Sequence, residues 1–234
     1  MQQNFEWLNQ LKDLDLTHAR HGQYGEDIVI DFIISKIGVT NRFFIDIGAG
    51  AYGTGTMSNT RQLVEHGWNG LSFDMDAHGN GNDNIIQEFV TPFNIVSLLK
   101  KHNCPAEPDF INIDIDGHDY DVLDRVLSEY KPRLVCSEYN ATLPVLSKIK
   151  LAYEEGYLWK ETNKYGYSFG AGLYLFDKHG YSVVMNHVNS NLFALRNDLL
   201  PEDKIWLIAE PQQTLYHSLN NNAVWVHPDE EPMP

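Results

Sequence analysis

Apolar and polar positions follow two rhythms along the first two thirds of the chain. In "GEDIVIDFIISKIG" the apolar residues Ile28, Phe32, Ile33 and Ile37 recur at helical spacing. "RFFIDIGAG" is a short apolar run ending in glycines, the pattern of a parallel strand buried on both faces. "SNTRQLVEHG" opens with Ser58 as a helix N-cap and stops at Gly67. "NGLSFDMD" and "NIIQEFV" read as strands, "NIVSLLKKHN" as a helix, "DFINIDID" as a fourth strand, "YDVLDRVLSEY" as its helix and "PRLVCSEYN" as a fifth strand. This alternation predicts a mostly parallel sheet with helices on both faces. The rhythm then changes. "YGYSFGAGLYLFDKHG" reads as loop then helix, and "YSVVMNHV" and "NLFALRN" as an antiparallel pair at a sheet edge, joined by Asn189-Ser190. Residues 141–167 carry no clear period, which suits either a lid or substrate loop or a plain connection.

A chain of 234 residues, 43% of them hydrophobic, suits one domain with a sizeable core. That domain is expected over residues 1–226, with 1–20 as an N-terminal helical extension and the acidic "HPDEEPMP" of 227–234 as a disordered tail. A formal charge of −15 repels phosphate backbones, which argues against a nucleic-acid partner. Cys104 and Cys136 lack metal-ligand spacing and make no disulfide framework; Cys136, in "RLVCSEY", reads as a buried strand residue. No apolar run reaches the roughly 18 residues of a membrane span, and the opening "MQQNFEWLNQLKDLDL" lacks the pattern of a secretion signal. The expectation is a cytoplasmic protein with a small-molecule partner and no membrane partner; a homo-oligomer stays open.

Candidate chemistry begins at "FIDIGAGAYG", where Gly48, Gly50 and Gly53 fit G-x-G-x-x-G. The plain alternative is a tight strand-to-helix turn with no ligand. A dinucleotide site is the familiar reading of the motif, and a nicotinamide-dependent oxidoreductase the corresponding function. Asp46 argues against it, because a carboxylate there would face a pyrophosphate. The expected helix start at Ser58 also sets the helix dipole back from the loop. A ligand with an ammonium, a sulfonium and a ribose fits better. Asp46 would accept from the ammonium, directly or through water; Gly48 and Gly50 let the backbone approach; Asp74, preferred over Asp76, would take the ribose hydroxyls. S-adenosylmethionine has these groups.

The segments "GQYGEDIVIDFI", "FFIDIGAGAYGTGTMSNTRQLVEHGWNGLSFDMD", "FVTPFNI", "FINIDIDGHDYDVLDRV", "PRLVCSEYN" and "NSNLFALRND" span roughly residues 21 to 198. In this order the chain resembles class I S-adenosylmethionine-dependent methyltransferases, and within them the FkbM-like group. The glycine loop alone is common; the ordered set is more specific. The resemblance implies a Rossmann-like α/β fold, a seven-stranded, mostly parallel sheet whose last strand is antiparallel. It implies methyl transfer, often to a hydroxyl of a sugar, polyketide or other small metabolite. It places the cofactor on Asp46, Gly48, Gly50 and Asp74, with the adenine near Phe89 and Val90, and adds Gln23, Glu26 and Asp27 as pocket-facing residues; Asp114, at the end of the fourth strand, is a further cofactor-binding candidate. One departure is that such relatives carry Glu at or near the position of Asp119, which leaves the catalytic roles open. A non-catalytic binding protein on the same fold is the third functional class.

The acids of "INIDIDGHDY" carry a desolvation cost unless they meet a ligand, a metal or water. Asp114 and Asp116 are two apart, so an extended strand points both to one face. Glu138 and Asn140 close the fifth strand in the same way. Asp116, Glu138 and Asn140 are thus candidate ligands for Mg²⁺ or Ca²⁺, an arrangement that looks like the metal site of catechol-type methyltransferases. The metal-free version makes Asp116 or His118 the general base, with Glu138 orienting the acceptor. Asp119 reads more simply as a first-turn acid favourable to the helix dipole. The aromatic run "YEEGYLWKETNKYGYSFG" offers Tyr153, Tyr157, Trp159, Tyr165 and Tyr167 as a pocket wall.

Overall fold

A computed structural model describes residues 6–50, 58–76, 85–188, 190–201 and 223–230. Its strands are β1 (Phe43–Ile47), β2 (Asn69–Asp74), β3 (Ile85–Gln87), β4 (Phe110–Ile113), β5 (Leu134–Glu138), β6 (Lys150–Leu151), β7 (Tyr181–His187), β8 (Asn191–Arg196) and β9 (Trp225–Val226). Seven of them form one sheet in the order β3-β2-β1-β4-β5-β8-β7. The β2–β3, β1–β2, β1–β4 and β4–β5 pairs are parallel, whereas β8 runs against both β5 and β7. Six strands therefore share one direction, and the last of the sheet in chain order is antiparallel. The expected fold class is the observed one.

The helices are α1 (Glu26–Ile37), α2 (Arg61–Glu65), α3 (Ile95–Lys101), α4 (Asp119–Glu129) and α5 (Phe169–His179), preceded by a 3-10 helix at Glu6–Asp13. Successive strand residues point to opposite faces. Ile45, Ile47, Ile111 and Ile113 pack with Leu99, Leu123 and Phe176 of α3, α4 and α5. Phe44, Phe110, Leu134 and Phe193 pack on the other side with Leu11, Ile30, Ile33 and Leu63, from the 3-10 helix, α1 and α2. Both faces of the sheet are dry, which is why "FFIDI" shows no apolar–polar alternation.

Two local expectations are corrected. Ser58 is not the N-cap: α2 begins at Arg61 behind Thr60, and the Ser58 hydroxyl lies beside Thr60. The third strand is only Ile85–Gln87, so Phe89 and Val90 lie beyond its end. Residues 150–151, inside the aperiodic 141–167 segment, pair with 225–226 as a small antiparallel sheet. Beyond it the chain is described through Glu230, and the Tyr174 hydroxyl donates to Asp229 at 2.7 Å. Residues 231–234 and Gly53 lie outside the described residues. Among the described residues no helix is long and apolar enough to cross a membrane.

At the end of the sheet away from the glycines, the buried Asp109 carboxylate gathers the start of β1 and β5. It accepts from the backbone N–H groups of Thr40, Asn41 and Arg42, from the Thr40 hydroxyl, and from Arg133 Nη1 at 3.1 Å. Burial works against its charge, but the bonds from Thr40, Asn41 and Arg42 outweigh it and hold the carboxyl below its ordinary pKa. A depressed carboxyl stabilises the fold above the unfolded-state pKa of about 3.9, and that stability is lost as pH falls through the folded value. Asp109→Asn should cost about 2 kcal/mol at neutral pH, as for hydrogen bonds to a charged group. Urea unfolding should show the gap from the native chain closing below about pH 4. A gap that is constant across pH would deny Asp109 this role.

Candidate functional site

The carboxyl ends of β1, β2, β4 and β5 open into one cavity of about 1290 Å³. Open parallel α/β sheets bind ligands at this end. Gly48 and Gly50 form one lip, Asp74 and Asp76 the next, and Phe89 and Val90 follow after β3. Asp114, Asp116, His118 and Glu138 line it from β4 and β5. Tyr153, Tyr157, Trp159 and Tyr165 come in from the 141–167 segment as an outer wall.

The glycine lip is set by a close approach of backbones. Gly48 has φ +80°, and a Cβ there would stand 1.6 Å from the Asp114 carbonyl oxygen. Its N–H donates to the Phe73 carbonyl, and the Asp114 N–H to the Ile47 carbonyl, which brings the ends of β2, β1 and β4 together. Gly50 donates its N–H to Asp74 Oδ2 at 3.1 Å, and Asp76 donates to Asp74 Oδ1 at 2.8 Å. A carboxylate offers about four lone-pair sites, so Asp74 keeps acceptor capacity toward the cavity.

Asp46 does not line the cavity, contrary to the expectation of a direct contact with a ligand's ammonium. It points to the α1/α2 face, paired in register with Asn112 of β4. The Thr60 hydroxyl donates to one of its oxygens at 2.6 Å and Asn112 Nδ2 to the other at 2.8 Å, while Asn59 donates to Asn112 Oδ1 at 3.0 Å. Burial raises its pKa to about 6, against the pull of those two bonds. Asp46 is the anchor that ties the exit of the glycine loop to the sheet, and "SNT" is the other half of that anchor. Glu26 and Asp27 are likewise turned away. Glu26 receives the Tyr24 N–H and the Asn191 amide, and Asp27 the Arg20 and His21 N–H groups. Gln23 does line the cavity.

The cavity floor carries the acids of the "DID" stretch. Register between β4 and β5 pairs Ile113 with Ser137, so Asp114 and Glu138 follow side by side. Asp116 joins them from the turn before α4, at φ +51°, a left-handed conformation that Asp tolerates. One carboxylate oxygen from each of Asp114, Asp116 and Glu138 lies within 4.8 Å of the others. Burial, and then the neighbouring carboxylates, hold Asp114 and Glu138 well above their ordinary pKa, and the two are close enough to share a proton between them. Burial raises Asp116 as well. Asp119 stands behind, fully buried as the first residue of α4, accepting the N–H groups of Ile115 and Gly117. Burial lifts it to about 6 against those bonds. It holds the turn that presents Asp116.

Asn140 is not brought into this trio. Its Oδ1 accepts from the Thr142 N–H and hydroxyl, and its Nδ2 donates to the carbonyls of Asn163 and Tyr165. Its amide is spent fastening the outer wall, and Asp114 stands where Asn140 was expected. His118 faces the cavity but also meets the wall: its Nε2 accepts the Glu154 N–H at 3.1 Å, and its ring lies 4.9 Å from Tyr153. Tyr167 is not a wall residue; it is buried in the core with its hydroxyl on Ser137. Glu154 and Glu161 on the wall were not anticipated, although acids interleaved with aromatics in "YEEGYLWKE" were the available signal.

No protein-family model matches the sequence, and no curated protein matches it. Among solved structures, 29 chains match. A S-adenosylmethionine-dependent methyltransferase from Clostridium acetobutylicum ATCC 824 is 10% identical at TM-score 0.44, over 79% of this chain and 92% of that one. A protein from Klebsiella pneumoniae provisionally named an O-methyltransferase is 12% identical at TM-score 0.42, over 81% and 86%. A Streptococcus thermophilus protein provisionally named a hemolysin is 12% identical at TM-score 0.41, over 75% and 66%.

Proposed function

We propose that the cavity binds S-adenosylmethionine and that the protein is an O-methyltransferase of the FkbM-like kind, acting on a small-molecule hydroxyl of a sugar, polyketide or related metabolite in a cytoplasmic setting. The observation that carries this reading is one cavity joining Gly48, Gly50, Asp74, Phe89 and Val90 to the acids Asp114, Asp116 and Glu138. Its volume exceeds the roughly 300–1,000 Å³ of a single-ligand pocket, leaving room for a cofactor and an acceptor. A dinucleotide suits it less well. A pyrophosphate would face Asp74 and Asp114, and among the described lining residues there is no Lys or Arg to meet it.

The bound cofactor supplies the electrophilic methyl carbon; the chain has to align and deprotonate the nucleophile. Asp74 accepts from the ribose hydroxyls. The glycine backbone lets the ligand lie close, and Phe89 with Val90 offers an apolar place for the flat base. Asp116 takes the proton of the acceptor hydroxyl, and Glu138, beside Asp114, orients it. Asp116 is preferred to His118 as base because the His118 Nε2 is engaged with the wall backbone. A second form is favoured by the converging oxygens: Asp114, Asp116 and Glu138 are a hard, anionic donor set that suits Mg²⁺, which would lower the pKa of a bound hydroxyl.

Calorimetry tests the cofactor reading. S-adenosylhomocysteine should bind and NADH should not, and Asp74→Ala should weaken S-adenosylhomocysteine by roughly 1.5–3 kcal/mol, the range for hydrogen bonds to a charged group. Tighter binding of NADH than of S-adenosylhomocysteine would sink it.

A further inference from the structure

The charge of the cavity selects a class of acceptor, on the reading that the protein is a methyltransferase. Carboxylates line the cavity in three groups: Asp74, Asp76 and Glu88 at the β2–β3 end, Asp114, Asp116 and Glu138 on the floor, and Glu154 and Glu161 on the outer wall. The first two groups stand at strand ends, where the cofactor's ribose and reacting centre belong. The wall pair belongs to neither. No Lys or Arg is among the described lining residues, and the only Lys or Arg outside the described residues is Lys204. The net charge of −15 adds to the same field.

The wall is also aromatic. His118 lies between Tyr153 and Tyr157, with ring centroids at 4.9 and 5.5 Å, and Trp159 meets Tyr165 edge-on at 6.2 Å. Trp159 is 41% exposed at this rim, so its ring is open to a ligand. Aromatic faces attract cations, most strongly where water is excluded. The wall already accommodates one cation of the chain's own: Lys164 Nζ lies 4.9 Å over the Tyr157 ring and 2.7 Å from Glu154.

We propose that the acceptor is an amine-bearing, flat hydroxyl compound, its ammonium held by the wall carboxylates and aromatic rings while its hydroxyl reaches Asp116. Acceptors bearing a phosphate or carboxylate are turned away. A ring stacks on the wall, the positive group meets Glu161 and shares Glu154 with Lys164, and no Lys or Arg is among the described lining residues to reward an anion.

The test is calorimetry on the full chain with three probes that share one phenol ring and differ in charge: tyramine, its neutral alcohol analogue tyrosol, and 4-hydroxyphenylacetate. S-adenosylhomocysteine is titrated first, and the series is run both with and without it. Tyramine should bind about ten-fold tighter than tyrosol, and 4-hydroxyphenylacetate weakest of the three. Glu154→Gln and Glu161→Gln should each shrink the tyramine-to-tyrosol ratio while leaving S-adenosylhomocysteine affinity unchanged. Equal or reversed order, no tyramine binding at millimolar concentration, or an unaltered ratio in both variants overturns the proposal. Absence of S-adenosylhomocysteine binding instead overturns the methyltransferase reading, and the series without cofactor still reads the wall.

Discussion

Asp116→Asn should lose about 100-fold or more in turnover, within the range for removal of a general base, while S-adenosylhomocysteine binds as before. Asn is the proper substitute because it also tolerates the left-handed backbone of this position, φ +51°, so the turn is kept and only the charge is removed. The proposed cofactor contacts lie at the ends of β1 and β2 and after β3, which the change does not touch. Burial raises Asp116, and burial with neighbouring charge raises Asp114 and Glu138. A base must be deprotonated to act, so the native rate should rise with pH through a value above the ordinary carboxylate range of about 4. The Asp116→Asn variant should lose that limb of the profile. Treatment with a chelator separates the two forms of the site: activity that falls and returns with Mg²⁺ assigns the trio to a cation, and activity that persists assigns Asp116 as base. Full turnover in Asp116→Asn on the true acceptor would remove both.

Gly48→Ala should destabilise the fold by roughly 2–5 kcal/mol, the sum of roughly 1–2 for a non-glycine left-handed residue and 1–3 for overpacking. The added Cβ would meet the Asp114 carbonyl, a backbone atom that cannot rotate away, so the end of β4 must shift. Gly67 supplies the control. It has φ +77° with nothing within 4 Å of where an added methyl would sit, so Gly67→Ala should cost only the backbone term of about 1–2 kcal/mol. Urea unfolding of both variants separates the contributions, and equal losses would show that the approach of β4 is not what requires a glycine at 48. Because Gly48 is itself part of the proposed cofactor lip, Gly48→Ala should also weaken S-adenosylhomocysteine, whereas Gly67→Ala should not.

The layer plan was legible because strand and helix periods differ and because each strand run is short and bounded. Which face a strand residue takes was not legible where both faces are dry. Asp46 sits between Ile45 and Ile47, and nothing in "FIDIG" tells whether its carboxylate meets a ligand or, as found, Thr60 and Asn112. Asp116 and Glu138 do converge, but Asp116 arrives from the turn beyond β4 at φ +51° and not from the extended strand that was expected, and the third member was not foreseen. Asp114 and Asn140 differ in what surrounds them: the Asn140 amide is claimed by the 163–165 backbone, a contact across more than twenty residues that no local pattern reports. The reduction of "NIIQEFV" to three strand residues has the same origin, since among the described residues β3 pairs with β2 alone and ends where that partner ends.

The two halves of the cavity hang from opposite layers of the molecule. The glycine lip is fastened through Asp46, Thr60 and Asn112 on the α1/α2 side. The outer wall is fastened on the other side, where Lys150 pairs with Asp121 of α4 at 3.0 Å, Tyr167 packs against Tyr120, and the Ser168 hydroxyl at the head of α5 donates to the Ser147 carbonyl. The sheet stands between them as a partition. On the proposed function, a substitution in the wall can therefore change which acceptor is admitted without loosening the lip that would hold the cofactor, because the two are tethered to separate layers.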